Sequence, residues 1–345
     1  MSDFLLADGF GNLTDGVHTS GAEREVLGEQ WQSYAYAFTI VDRADGRKWL
    51  TMALDRKPAL VSKTFGDPST FSICMRLYRG DAVACTLVQL INAAGGLGWI
   101  TIDSGGTMGY HVLTLGTPVA TFTCGAAIPL ATETFVEMRF VLSDTVGSIA
   151  FYLNGVLINT VSGIDNCTAT GRTSLRSVVY GQGQTLTQVF RVGWKYSDFI
   201  VHTAAAGIGD VGVFYVPADA DGADADLTPS AGANWQCIDD IGPDEDTTYN
   251  ESDGTAGHRD SFETAGVAGM AVLSVGTLVR ARKTDTGVAT LLLGAIDGAS
   301  EDQSAPKVLA ESYLTFIEFF DDAPAGGAWN AAKVTAAEFS YEVGA

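Results

Sequence analysis

The chain has 345 residues, 46% of them hydrophobic and only 18% charged, so it is a folded protein long enough for two cores and not a disordered one. Against 20 Lys and Arg stand 41 Asp and Glu, for a net charge of -21; no basic stripe exists to displace counterions, which argues against nucleic-acid binding and attraction to anionic membranes. No window approaches the ~20 apolar residues of a membrane span, and the opening MSDFLLADGFGNLTDG has neither the basic nor the apolar region of a secretory signal.

Forty glycines and few runs of helix formers lean the chain toward strands and tight turns. From about Phe4 to His202 the pattern predicts short strands at residues 38–41, 49–54, 70–77, 85–91, 98–102 and 111–115. Residues 134–163 then read as three strands in succession. Val136, Met138, Phe140 and Leu142 share one face, Glu137 and Arg139 alternate onto the other, and Ile149, Phe151 and Leu153 form the second strand's apolar face. Asn154-Gly155 supplies the two positive φ angles of a type I′ hairpin. The expected result is an antiparallel sheet with one wet face. Further strands are predicted at 176–180, 188–194 and 198–202.

At residues 203–232 the composition shifts to Ala, Gly, Asp and Pro, with one predicted strand at 212–216, and a domain boundary is expected near Gly207. Beyond it, strands are predicted at 272–275, 277–282, 290–293 and 313–320, with one short helix within 329–339. The fold class is all-β, with two jelly-roll-like β-sandwich domains in tandem, residues 1–206 and 207–345.

The order of elements in the first ~200 residues, with the Asn154-Gly155 hairpin, the SGGTMGYHVL approach and the YSDFIVH strand, resembles the laminin-G-like, concanavalin A-like jelly roll. The runs DFIVHTAAAGIGDVGVFYVPADADG, TPSAGANWQCIDDIGPDEDTTYN and FFDDAPAGGAWNAAKVTAAEFSYEVG are similar to a family of tailed-bacteriophage virion proteins. In that family a laminin-G-like domain precedes a compact C-terminal β-domain. The resemblance implies a structural component of a virion, in tail, fibre or capsid surface, assembled in the host cytoplasm. Its partners would be other virion proteins, tail or major capsid, and further copies of itself, since symmetric copies cover exposed strand edges.

Candidate sites are few. Asp219, Asp221, Asp224 and Asp226 alternate along a Gly-relaxed loop; they read as a solvated acidic linker or as ligands of a structural Ca2+, although the spacing is not an EF-hand. Asp239-Asp240 and Asp244-Glu245-Asp246 form a second acidic cluster, facing the linker, a neighbouring subunit or water. The five cysteines are odd in number and lack a CxxC pair, and the four histidines are scattered, so neither a zinc site nor a redox motif is supported and no cofactor is expected. Trp99 and Trp194 lie in apolar strands and are assigned to core; Trp31, Trp235 and Trp329 sit in polar or Gly-rich surroundings and are assigned to a domain or subunit contact. No nucleophile elbow, P-loop or dinucleotide fingerprint occurs, and the expectation is a protein that is not an enzyme. Two rivals stay open: a lectin-like module that binds a host-surface glycan through loops at one end of the first sandwich, and a glycan lyase or hydrolase, which would need a cleft with paired, shifted carboxylates.

Overall fold

Alternating apolar residues build the centre of the first sheet. In strand Thr70–Tyr78, Phe71, Ile73, Met75 and Leu77 enter the core, and Ser72, Cys74 and Arg76 take the opposite face. Its neighbour Glu133–Val141 pairs antiparallel in register, Glu137 opposite Cys74 and Phe140 opposite Phe71. The hairpin after Gly147–Leu153 turns as the sequence predicts, with Asn154 at φ 49° and Gly155 at φ 77°. The computed structural model describes residues 3–10, 16–18, 31–35, 38–43, 45, 47–51, 59–114, 117–167, 172–180 and 193–344; residues 188–192 of the strand predicted at 188–194 and the end of that at 49–54 lie outside them.

The first sheet has nine strands. Its order runs Val156–Ile164, Gly147–Leu153, Glu133–Val141, Thr70–Tyr78, Lys195–His202, Lys48–Thr51, Phe38–Asp42 and Gly16–His18, and Phe4–Asp8 pairs with Lys195–His202. A second sheet of seven strands packs against it, in the order Thr117–Ala127, Thr107–Thr114, Gly95–Ile102, Cys85–Asn92, Ser177–Tyr180, Ala59–Ser62 and Trp31–Ala35. One continuous core, from Leu6 to Val201, lies between them. Residues 218–343 carry a six-stranded sheet and two two-stranded ones, including the long pair Val275–Ala281 and Leu314–Phe320, with two small cores of their own. The chain is an all-β protein of sandwich sheets.

Four local expectations are corrected. No strand forms at 212–216; that segment is irregular and lies across the first sheet. The loop expected at 219–226 is in fact a strand, Ala218–Ala225, paired with Arg259–Thr264; Asp224 is held by an ion pair to Arg259 at 2.6 Å, which lets an acidic stretch enter a ladder. The helix is limited to Ala331–Ala336, capped by Asn330 Oδ1 accepting from Lys333 N–H, because Glu338–Val343 continues as a central strand of the six-stranded sheet. The wet face expected on the first sheet is covered at its centre, where Glu137 is 1% exposed, while Arg139, Ser148, Ala150 and Tyr152 stay partly exposed.

Two tryptophans assigned to contacts are core residues. Trp31 packs edge-on against Tyr180 and Phe199 and donates from Nε1 to Asp8 Oδ2 at 2.6 Å. Trp329 fills the second unit's smaller core and donates from Nε1 to the Phe320 carbonyl. In both, a partner remote in sequence satisfies the indole N–H, so polar sequence neighbours misplace the ring. Trp235 is half-buried on a short 3₁₀ turn against the core that contains Phe262 and Tyr341. Trp194 is buried as expected, donating to Asp81. Trp99 is buried as well, with no partner for its Nε1.

Candidate functional site

Residues 208–214 form a strap over the face of the first sheet that turns away from the sandwich core. A bulge between Ser197 and Ile200, with Asp198 at φ 50°, aims the Asp198 carboxylate out of that face. Arg47 and Arg76 both bond to its Oδ2 at 2.7 Å, and Oδ1 accepts from the Val213 N–H at 3.0 Å. Arg76 also reaches Asp210 and the Val211 carbonyl, each at 2.6 Å, and Glu137 accepts from Ile208 N–H. The guanidinium of Arg47 lies 4.9 Å from the centre of the Phe214 ring, and Ile208, Val211 and Val213 pack on Cys74, Phe135 and Ile200.

The strap forms one wall of a groove of about 1650 Å³, and the second unit forms the other. The two units also touch where Phe4 meets Phe319, with ring centroids 6.5 Å apart. Into the groove look two exposed aromatic rings, Phe214 and Tyr249, at 39% and 40% exposure. Its polar lining comes from the second acidic cluster, paired in an orderly way. Glu245 accepts from Arg280, Asp246 accepts from Arg282 at 2.7 Å and from the Tyr313 hydroxyl at 2.8 Å, and both guanidiniums lie against the Tyr313 ring.

Asp240 and Asp244 form a different kind of pair. The Thr248 hydroxyl donates to Asp244 Oδ2 at 2.8 Å and reaches Asp240 Oδ2 at 3.5 Å. Partial burial raises the Asp240 pKa, with the neighbouring charges of Asp244 and Asp239 adding to it. Burial also raises the Tyr215 phenol, again helped by Asp240 and Asp239.

The four aspartates of the expected cation loop are placed apart in role. Asp221 accepts from Trp235 N–H at 2.7 Å, Asp224 pairs with Arg259, Asp226 accepts from Arg259 N–H, and Asp219 is exposed on Ala218–Ala225. Among the described residues the group whose metal-ligating atoms converge is another one, Cys74, Glu137 and His202 beneath the strap. Sequence reasoning missed it and the groove alike, because their members come from distant strands.

A second polar patch lies on the other sheet. Cross-strand register lines up Val179, Gln89, Trp99, His111 and Thr121. The ring nitrogens of His111 are hydrogen-bonded to Thr101 Oγ1 at 2.8 Å and Thr121 Oγ1 at 2.9 Å, and burial lowers its pKa. Trp99 offers no open face there, since it is 2% exposed.

Neither a protein-family model nor a curated protein matches this chain. Solved structures do. A pentraxin from Limulus polyphemus is 18% identical over 40% of this chain and 66% of its own, just under two thirds, with a TM-score of 0.30. Domain 4 of AbnA, an extracellular arabinanase from Geobacillus stearothermophilus solved with arabinotriose, is 10% identical over 59% and 93%, with a TM-score of 0.39. Alginate lyase vAL-1 from Chlorella virus is 9% identical over 58% and 100%, with a TM-score of 0.40. At TM-scores of 0.30 to 0.40 these likenesses are partial. The virion reading rests on the sequence resemblance alone. The expectation of a protein that is not an enzyme is withdrawn: chains named as an arabinanase domain and an alginate lyase are among those similar to this one, and a missing sequence motif does not exclude a reaction.

Proposed function

We propose that this protein binds an extended glycan in the groove between the strap and the second unit. The observation that carries the reading is the pairing of two exposed rings, Phe214 and Tyr249, with a lining of fixed carboxylates and guanidiniums. Ring faces pack against the apolar faces of sugar residues. Carboxylates held by Arg282 and Thr248 present ordered acceptors to hydroxyl groups, and Arg280 and Arg282 provide donors. A volume of about 1650 Å³ exceeds the roughly 300–1,000 Å³ usual for small-molecule pockets, which suits a chain of several units better than a single small ligand.

The raised proton affinity of Asp240 beside Asp244 supports a second reading, in which the bound chain is also cleaved. One experiment separates the two. A glycan array identifies a ligand, calorimetry measures its binding to the wild type and to Tyr249→Ala, and chain-end release is followed in the wild type and Asp240→Asn. Binding lost in Tyr249→Ala with no chain ends released supports a binding module. Chain ends released by the wild type and not by Asp240→Asn support cleavage. No glycan binding on the array, or binding untouched by Tyr249→Ala, contradicts the groove as the site.

A further inference from the structure

Three adjacent strands of the first sheet each send one metal-ligating side chain to the face beneath the strap. Cys74 comes from Thr70–Tyr78, Glu137 from Glu133–Val141 and His202 from Lys195–His202. Register brings them together: Glu137 and Ile200 flank Cys74 on either side, and His202 lies two residues beyond Ile200 on the same face. One ligand atom from each lies within 4.8 Å of the other two. All three are sealed, at 0%, 1% and 0% exposure.

The charge balance of this cluster points to a cation. A carboxylate removed from water needs a compensating positive charge or must take up a proton. Arg47 and Arg76, on the same face, are committed to Asp198, Asp210 and their neighbours. Among the described residues the ion-pair partner of Glu137 is His202, at 3.3 Å from Nε2 to Oε1, and its other bond is from a neutral backbone N–H. The other ring nitrogen of His202, Nδ1, is buried without a hydrogen-bond partner.

We propose that Cys74, Glu137 and His202 form a binding site for a divalent transition metal of the zinc type. Thiolate, imidazole and carboxylate are the donors such an ion takes, and together they exclude the oxygen-only sets of calcium and magnesium. On binding, Cys74 forms the sulfur–metal bond and gives its thiol proton to solvent; Glu137 binds through a carboxylate oxygen and His202 through a ring nitrogen. Three protein donors leave the fourth position of a tetrahedral set for water or an incoming ligand.

The full chain is produced in minimal medium supplemented with cobalt, so that the ion is present while the protein folds. Elemental analysis and the visible and near-ultraviolet absorption spectrum are then recorded. The expected result is about one cobalt per chain, with d–d bands of a four- or five-coordinate ion and a thiolate-to-cobalt charge-transfer band. Cys74→Ser removes the charge-transfer band, and zinc added during growth displaces cobalt in proportion. Substoichiometric cobalt in wild-type protein shown by circular dichroism to be folded, or a charge-transfer band that survives in Cys74→Ser, overturns the proposal. The wild-type measurement needs no variant to fold, and neither readout depends on a glycan.

Discussion

Arg76 Nη2 donates to Asp210 Oδ1 at 2.6 Å, and this bond joins the centre of the first sheet to the strap that leads into the second unit. The same guanidinium holds Asp198, which is 0% exposed, so one side chain anchors a buried acid and a chain crossing at once. Arg76→Ala leaves Asp198 with Arg47 as its one charged partner among the described residues and is expected to cost about 3 kcal/mol in urea unfolding. Amide exchange at Ile208 and Val213 speeds up in the same variant, because their acceptors Glu137 and Asp198 lie in the disturbed face. Asp210→Asn, at a side chain 42% exposed, costs less than about 1 kcal/mol. Equal costs for the two variants would refute the anchoring role.

Asp8 gives a pH dependence. Burial raises its pKa from 3.8 to about 6, against the hydrogen bonds from Trp31 Nε1 and Phe10 N–H. The unfolded chain ionises Asp8 near 3.8, while the folded chain keeps its proton to about 6, so the unfolded state binds fewer protons between those values. Stability therefore falls as pH rises through that window, and the penalty is absent below it. At about 1.36 kcal/mol per unit of difference the total is about 3 kcal/mol. Subtracting the stability curve of Asp8→Asn from that of the wild type isolates this slope. A difference that is flat between pH 4 and pH 7 shows that Asp8 ionises normally.

Gly98 tests the packing of the sandwich. A Cβ at this position would come within 2.3–2.5 Å of the Tyr110 ring, itself 0% exposed and stacked edge-on against Phe140. Gly98→Ala must displace that ring, and the expected loss is about 1–3 kcal/mol, measured as a lowered midpoint in thermal or urea unfolding. An unchanged midpoint would mean that the Tyr110 side of the core is loose.

Binding in the groove gives the functional counterpart. Tyr249 is 40% exposed and makes its backbone bond to Ser230 independently of its ring, so Tyr249→Ala removes a face without dismantling the loop. Loss of one stacking face is expected to weaken glycan binding about tenfold, or about 1.4 kcal/mol. Calorimetry checks it, with unchanged unfolding as the control.

How far the sequence could be read follows from where its signals lie. Residues 70–77 and 134–163 announced themselves by strict alternation, and Asn154-Gly155 fixed the turn, because both signals are local. Strand Ala218–Ala225 alternates only Ala with Asp, too little apolar surface to announce a strand; it forms through remote partners, Arg259 and Ser261, on the neighbouring strand. Trp31 and Trp329 looked exposed because the groups that satisfy their N–H are Asp8 and the Phe320 carbonyl. No spacing rule links Cys74, Glu137 and His202, and none links the strap to Arg280 and Tyr249 across the groove. Such sites are products of sheet register and of docking between units.

The most direct test of the central claim is a crystal structure of the protein with an oligosaccharide selected on the array. The account predicts sugar rings in the groove, packed on Tyr249 and Phe214, with hydroxyls on Asp244 or Arg282. Sugar bound instead on the second sheet beside His111 and Gln89, with the groove clear of it, would contradict the account.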